Sequence, residues 1–392
     1  MESPHHASSS KANSQPRIAV VGNYWFPTFP GGLDRYVYEL IQGLTQNQAR
    51  VTLFGIDLPT ESPDPALTLV NLARRDVSLP LRLWSASRRF GVVRSQPFDA
   101  LNLHFALYGL SLLPHLPHDL PVTCTFHGPW AFESVQEGSG QLNVLVKKWI
   151  EQLAYRRCDR FIVLSKAFGE ILHQEYGVDW AAINVIPGGV DTHRFCNSLT
   201  RHQAREQLGW PQDRLILFTP RRLVQRMGLG QLLDAIAALS AQGQEVWLAI
   251  AGKGPLRETL ENQVKELDLQ NQVKFLGFLP DDDLPVAYQA ADLTVMPSQS
   301  LEGFGLVLLE SLACGTPVLC TPVGGMPEVI QEFSPELITL DTTAASLQNS
   351  LGRILTGKTP LPSRESCRLY AEVNFNWSTI VQRVQKVLIK ET

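Results

Sequence analysis

Glu302 and Glu310 flank the start of an apolar helical stretch in DLTVMPSQSLEGFGLVLLESLACGTPVLCTPVGGMPE, residues 292–328, and their spacing limits what they can do. Eight helical positions cover about 12 Å, against roughly 5 to 9.5 Å between the paired carboxyls of a glycoside hydrolase. The two therefore do not share one bond as acid and base. A better division puts Glu302 at a sugar beside an anion site and Glu310 deeper, accepting hydrogen bonds from a ribose. The anion site is the helix start itself. Gly303 and Gly305 free the backbone there. The amides of Phe304, Gly305 and Leu306 can donate to phosphate oxygens while the helix dipole adds partial positive charge. A plain surface helix with an exposed glutamate is the competing reading.

Groups that could serve such a site follow other apolar runs. Arg222 and Arg226 come after Leu215–Thr219 and offer fixed positive charge for a leaving diphosphate. His127 follows Val122–Thr125, at a strand's C-terminal end, where ligands collect in open α/β sheets; a lone histidine there also reads as structural. Gly31 and Gly32 stand between a strand and a helix. They suit either close approach of a sugar diphosphate with positive φ, or an ordinary turn. Gly252 and Gly254 form a short G-x-G around Lys253, which either helps phosphates or is solvated. Asp281, Asp282 and Asp283 suggest metal ligands, yet they lie between Pro280 and a helical stretch, where aspartates cap.

The elements that must position these groups alternate strand and helix, the pattern of parallel sheets covered by helices. Apolar strands are expected at 17–22, 51–55, 100–104, 122–125, 160–164 and 184–187, with helices after Gly32 and over 142–158. Gly188 and Gly189 mark a crossing. A second alternation follows: strands at 215–219, 246–251, 273–276 and 293–296, helices at 229–240 and 255–267, and a basic amphipathic helix over 378–389. Two such halves place ligands at the C-terminal ends of their strands.

With 392 residues, 44% of them hydrophobic, the chain can bury a core in each of two or three domains. A net charge of −4 gives no global attraction to nucleic acid, and no run reaches the ~18 apolar residues of a transmembrane helix. The Ser-rich start, residues 1–16, lacks an apolar core and reads as a loose tail rather than a signal peptide. Six scattered cysteines with no C-x-x-C pair suit reduced thiols in a cytosolic protein. Leu79–Arg94 interleaves four arginines with Trp84 and Phe90, and Lys147, Lys148, Trp149, Arg156 and Arg157 lie on another helix. Both read as solvated faces or as membrane-surface contacts.

The segment EGFGLVLLESLACGTPVLCTPVGGMPEVI, with Glu302 and Glu310 seven residues apart, resembles the donor-site signature of the retaining glycosyltransferases of family 4. FPGGLDRYVYEL, CTFHGP, NVIPGGVDTHRF, RRLVQRMGL and LAIAGKGPLRETLE fall in that family's order, so the likeness covers nearly everything from Arg17. It implies the GT-B fold, an α/β architecture of two doubly wound, Rossmann-like domains facing a central cleft. Residues 1–16 would be a disordered tail, 17–190 the acceptor-binding domain, 191–377 the nucleotide-sugar domain, and 378–392 a helix packing back on the first domain.

By this resemblance His127 contacts the sugar or its phosphate, and Gly31 and Gly32 close over donor and acceptor. The catalytic set is Glu302, His127, Arg222 and Arg226, and the donor set is Gly31, Gly32, Gly252, Lys253, Phe304, Gly305, Leu306 and Glu310. No protein-bound metal or other cofactor is implied. Three departures stand out: Asp34 where the family often has Glu, Met227 where it usually has lysine, and Phe29-Pro30 where a glucan synthase has lysine. We expect Arg226 to take over the charge that Met227 lacks. The implied activity is transfer of a sugar, from a UDP-linked donor, to a hydroxyl of a glycan, glycolipid or small molecule with retention. The expected place is the cytoplasm, with the inner membrane surface as an option. The rival readings are a sugar-nucleotide epimerase and a non-catalytic sugar-nucleotide binder.

Overall fold

The computed structural model describes residues 15–29, 31–91, 97–136 and 140–389, so the tail through Ser14, Pro30, Arg94 and residues 137–139 lie outside it. By internal contacts the chain divides into a first unit, ending at Thr125 and joined by Leu153–Arg160 and the residues from Val384 on, and a second, Phe126–Gln152 with Phe161–Arg383.

In the first unit, β-branched and aliphatic runs build strands because stiff side chains fill a pleated surface covered on both faces. RIAVVGNY forms β1 (Arg17–Tyr24), with Ile18 to Val21 fully buried. Helix α1 (Gly32–Gln46) buries Tyr36, Val37, Leu40, Ile41 and Leu44, a stripe at helical spacing that lies on the core. Next come β2 (Arg50–Ile56), β3 (Leu67–Ala73), α2 (Leu79–Phe90), β4 (Ala100–Leu103), α3 (Ala106–Leu112) and β5 (Val122–Phe126). The strand order is β3-β2-β1-β4-β5, all parallel, with Ile18 beside both Val51 and Ala100. The polar side chain Asn102 is fully buried in β4 and is satisfied by the Thr123 carbonyl and the Thr125 hydroxyl, at 3.1 and 2.9 Å.

The left-handed backbone expected at Gly31 and Gly32 is absent. Gly31 is extended at φ −168°, and neither glycine is among the positive-φ residues. What the turn does supply is a buried carboxyl. Asp34 accepts a hydrogen bond from the Tyr24 amide at 2.9 Å, yet burial outweighs it and pushes the pKa up to about 6. A folded pKa above the unfolded one means that stability is fully present below about pH 4 and is lost as pH rises through 6. Asp34→Asn keeps the acceptor and removes the charge. Its free energy of unfolding in urea should match wild type near pH 4 and exceed it above pH 7 by up to about 3 kcal/mol; equal stabilities at both would refute this.

The second unit continues with α4 (Trp130–Gln136), α5 (Gln141–Tyr155), β6 (Arg160–Val163), α6 (Lys166–Tyr176), β7 (Ile183–Val185) and α7 (Arg201–Leu208). Then follow β8 (Ile216–Pro220), α8 (Leu229–Ser240), β9 (Trp247–Ala251), α9 (Arg257–Glu266), β10 (Val273–Gly277), α10 (Leu284–Ala290), β11 (Leu293–Met296), α11 (Leu306–Ala313) and β12 (Val318–Cys320). Helices α12 (Met326–Ile330), α13 (Ala344–Leu355), α14 (Arg364–Phe375) and α15 (Trp377–Ile389) close the chain. Here β6 pairs with β7, and a separate parallel sheet runs β10-β9-β8-β11-β12. Five-residue strands with every side chain buried, such as Trp247–Ala251, explain why this half reads as short apolar runs.

The end of α15 belongs to the first unit. Asn47 donates to Gln385 at 2.5 Å, and Arg160 donates to the Val387 carbonyl. Asp283 stands at the N-cap of α10, but its side chain makes no capping bond, and Asp281 instead pairs with Arg194 at 2.5 Å. Among the described residues no disulfide occurs, and Cys314, Cys320 and Cys367 are buried thiols.

Candidate active site

The C-terminal end of β8 delivers two adjacent arginines with opposite fates, because successive residues of an extended chain point to opposite sides. Arg221 turns inward and is 8% exposed, while Arg222 is exposed. The Arg221 guanidinium donates to both the Ser298 hydroxyl and the Glu302 carboxylate, and Ser298 donates to the same carboxylate at 3.2 Å. Burial would raise the Glu302 pKa. The charge and hydrogen bond of Arg221, then Arg226 and Ser298, outweigh it and hold the carboxyl below its ordinary range. Glu302 is thus a fixed anion at neutral pH and has no proton to give.

Arg226 reaches the same loop from the short turn before α8. Its guanidinium donates to the Leu301 carbonyl at 2.9 Å and lies 3.5 Å from Glu133 of α4, and its own carbonyl accepts from the Gln299 amide at 2.8 Å. Burial lowers its pKa, with Glu133 opposing and Arg222 adding to the shift. The guanidinium expected to replace the missing lysine is thus engaged with backbone and with Glu133. Met227 is buried beside it.

The loops meet backbone to backbone, which only glycine allows. A Cβ on Gly252 would lie 1.9 Å from the Arg221 carbonyl oxygen, one on Gly254 2.3 Å from that of Leu223, and one on Gly324 1.8 Å from that of Glu302. A Cβ on Gly228, at φ +70°, would lie 1.8 Å from the Pro297 carbonyl oxygen. The G-x-G at 252–254 is thus a contact between β9 and the arginine loop, with Leu223 donating to the Lys253 carbonyl at 3.0 Å. The Lys253 ammonium lies 5.3 Å from the centre of the exposed Phe278 ring.

Helix α11 begins at Leu306 after Gly305, at φ +84°, and no side chain caps it. Phe304 is buried edge-on against Phe375. Glu310 is buried one helical level down and accepts from the Tyr288 hydroxyl at 2.8 Å. From another direction, Ser165 at the start of α6 donates to the Gly303 carbonyl at 2.6 Å, and the Phe168 ring lies against both Gly303 and Gly128. That ring brings the His127–Gly128 corner to the Glu302 loop. Loss of hydration lowers the His127 pKa to about 4, so its imidazole is neutral at neutral pH, with one nitrogen donating and the other accepting.

Glu302, Arg226, Gly252 and the start of α11 are therefore gathered in the second unit, while Gly31 and Gly32 belong to the first. Sequence reasoning missed Arg221, Ser298 and Glu133. The available signal was the unbalanced charge of three arginines within six residues, which demands nearby carboxylates. Among the described residues no group of three or more potential ligands could hold a metal, and no helix is long and apolar enough to cross a membrane.

Comparison with known proteins matches residues 30–194 to the family described as Glycosyltransferase Family 4, and residues 200–373 to Glycosyl transferases group 1. A D-inositol 3-phosphate glycosyltransferase of Corynebacterium jeikeium is 30% identical over 83% of this chain and 83% of its own length. A GDP-mannose-dependent phosphatidylinositol monomannoside mannosyltransferase of Mycolicibacterium smegmatis is 31% identical over 53% of this chain, which spans only 56% of that relative. Among solved structures, Anabaena HepE in complex with UDP and glucose superposes with a TM-score of 0.73 at 20% identity, over 95% of this chain and 99% of that one, and shares the fold of two parallel-sheet α/β domains.

Proposed function

The chain belongs to the family 4, group 1 glycosyltransferases, and from that premise we propose that it moves a sugar from a UDP-linked donor to an acceptor hydroxyl with retention of configuration. The observation that carries the reading is the Ser298–Glu310 segment: an ionised carboxylate beside a buried arginine, then a glycine-capped helix start, then a second buried carboxylate. In this reading the amides of Phe304, Gly305 and Leu306 hold the diphosphate and Arg222 neutralises it. Glu310 accepts from the ribose, and neutral His127 donates to the sugar.

The bond from the anomeric carbon to the phosphate oxygen breaks while the acceptor oxygen attacks from the same face, and the acceptor proton passes to the departing phosphate. No carboxylate nucleophile is invoked, because Glu302 is held by Arg221 and Ser298. Residues 17–190, which include Gly31 and Gly32 of the donor set, form the acceptor domain, and residues 191–377 form the donor domain. No protein-bound metal takes part. UDP is favoured by the ligand in HepE, and the GDP-mannose name of the Mycolicibacterium relative makes a guanine donor the competing outcome.

Helix α2 fits a place at an anionic inner membrane surface. Leu81 and Trp84 are 58% and 59% exposed, Arg88 stacks on Trp84, and no acidic residue occurs between Asp76 and Asp99. A lipid-linked acceptor, as in the name of the Mycolicibacterium relative, would suit that face.

The test is nucleotide release from a panel of UDP-, GDP- and ADP-sugars, with and without candidate acceptors, in the presence of EDTA. Acceptor-dependent UDP release that EDTA leaves intact is expected. Isomerised donor in the absence of acceptor would replace this reading by an epimerase, and binding without turnover by a sugar-nucleotide binder. Sedimentation with phosphatidylglycerol vesicles, but not with phosphatidylcholine alone, is expected, and equal partition would remove the membrane proposal.

A further inference from the structure

The corner Leu301–Glu302 is the most constrained point of the site. Leu301 is a non-glycine residue at φ +50°, a left-handed conformation that persists only where the surroundings over-determine it. Two arginines do so from either side. Arg226 holds the Leu301 carbonyl, and Arg221 holds the Glu302 carboxylate together with Ser298. The Glu302 carbonyl is fixed in turn by the Gly325 amide at 3.0 Å, against Gly324. The Arg221 and Arg226 side chains are 6% and 8% exposed, whereas Arg222 is an exposed residue.

We infer that Arg221 and Arg226 are positioning residues that lock the Leu301–Glu302 corner, Arg221 by fixing Glu302 as an oriented anion, and that Arg222 alone of the three faces the diphosphate. This deepens the proposed transfer reaction and rests on it. It also changes the part expected of Arg226, from a clamp on phosphate to a brace on the loop. The groups facing Glu302 are Arg221 after β8, Arg226 before α8, Ser298 on its own loop and Cys320 of β12, whose thiol pKa is raised by burial first and by the carboxylate second; Glu133 of α4 faces Arg226.

The test compares wild type with Arg221→Gln, Arg221→Lys, Glu302→Gln and the Arg221→Gln/Glu302→Gln pair in the full chain. With the nucleotide sugar that supports turnover, Arg221→Gln should lower kcat about 30- to 300-fold while donor KM moves less than about threefold. The acid limb of kcat/KM should rise by about one pH unit or more, since burial then acts on Glu302 without its counter-charge. Arg221→Lys should recover at least about tenfold and restore the limb. In the pair, losing Arg221 should cost under about threefold beyond Glu302→Gln, because the carboxylate it orients is already gone. Urea unfolding at pH 7 gives a readout without turnover: Glu302→Gln should destabilise wild type but stabilise the Arg221→Gln background.

A folded Arg221→Gln with an unmoved acid limb, effects that multiply in the pair, or the same unfolding change in both backgrounds would overturn the assignment. Failure of wild type to bind UDP or to turn over any nucleotide sugar sinks the transfer reading instead, and the unfolding comparison still decides the role of Arg221.

Discussion

Arg222→Ala is expected to lower kcat/KM for the nucleotide-sugar donor by about 10²- to 10³-fold, with urea stability within about 0.5 kcal/mol of wild type. The fold should not notice the change because Arg222 is exposed at the end of β8. The reaction should, because a diphosphate leaving group gathers negative charge as its bond to the sugar breaks, and a fixed guanidinium is the group that stabilises it. Arg222→Lys should recover part of the loss, since lysine keeps the charge but not the planar fork. The measurement is steady-state UDP release at a range of donor concentrations, next to a denaturation curve. Turnover within threefold of wild type would remove Arg222 from the site and leave the diphosphate to the helix start.

The second large effect falls on a residue with no side chain. Gly228→Ala should destabilise the protein by about 3 kcal/mol or more, and abolish turnover in whatever material folds. Two costs add there. The left-handed φ of +70° costs any L residue about 1 to 2 kcal/mol, and the new methyl would sit 1.8 Å from the Pro297 carbonyl oxygen, so two backbones must part. Gly209→Ala separates the costs, because Gly209 has nearly the same conformation, φ +64°, with nothing within 4 Å of an added Cβ. It should lose only about 1 kcal/mol and keep full activity. Equal losses at the two positions would show that conformation, not contact, governs both.

Much of this architecture was legible because apolar runs of four to six residues, punctuated by glycine, have few alternatives to buried parallel strands. Helix α8 begins and ends where its pattern predicts, at Leu229 and Ser240, and α11 stops before Gly315, which takes φ +78°. Elements with weaker signals escaped, among them β3, whose LTLVNLA is only half buried, and the short α3. At the site, Glu302, Glu310 and Gly305 stood out because their spacing around one helix start is a local property.

Arg221 did not stand out, because its partner Glu302 is 81 positions away and no local rule separates Arg221 from Arg222. The pairing of Glu133 with Arg226 across 93 positions is of the same kind. The glycines at 252 and 254 were visible as residues, but their partner was not: a motif that suggests phosphate also describes two backbones in contact.

Helix α6 bears on where a ligand can dock. Its first amides are already occupied, since the Glu328 carboxylate accepts from Lys166 and Ala167 at 2.8 and 3.0 Å while Ser165 accepts from Phe168. Helix α11, joined to it through the Gly303 carbonyl, has only a glycine at its head. Of these two adjoining dipoles one is quenched from within. Under the proposed transfer reaction the other would be the single address for the diphosphate, and the register of the nucleotide would follow from it.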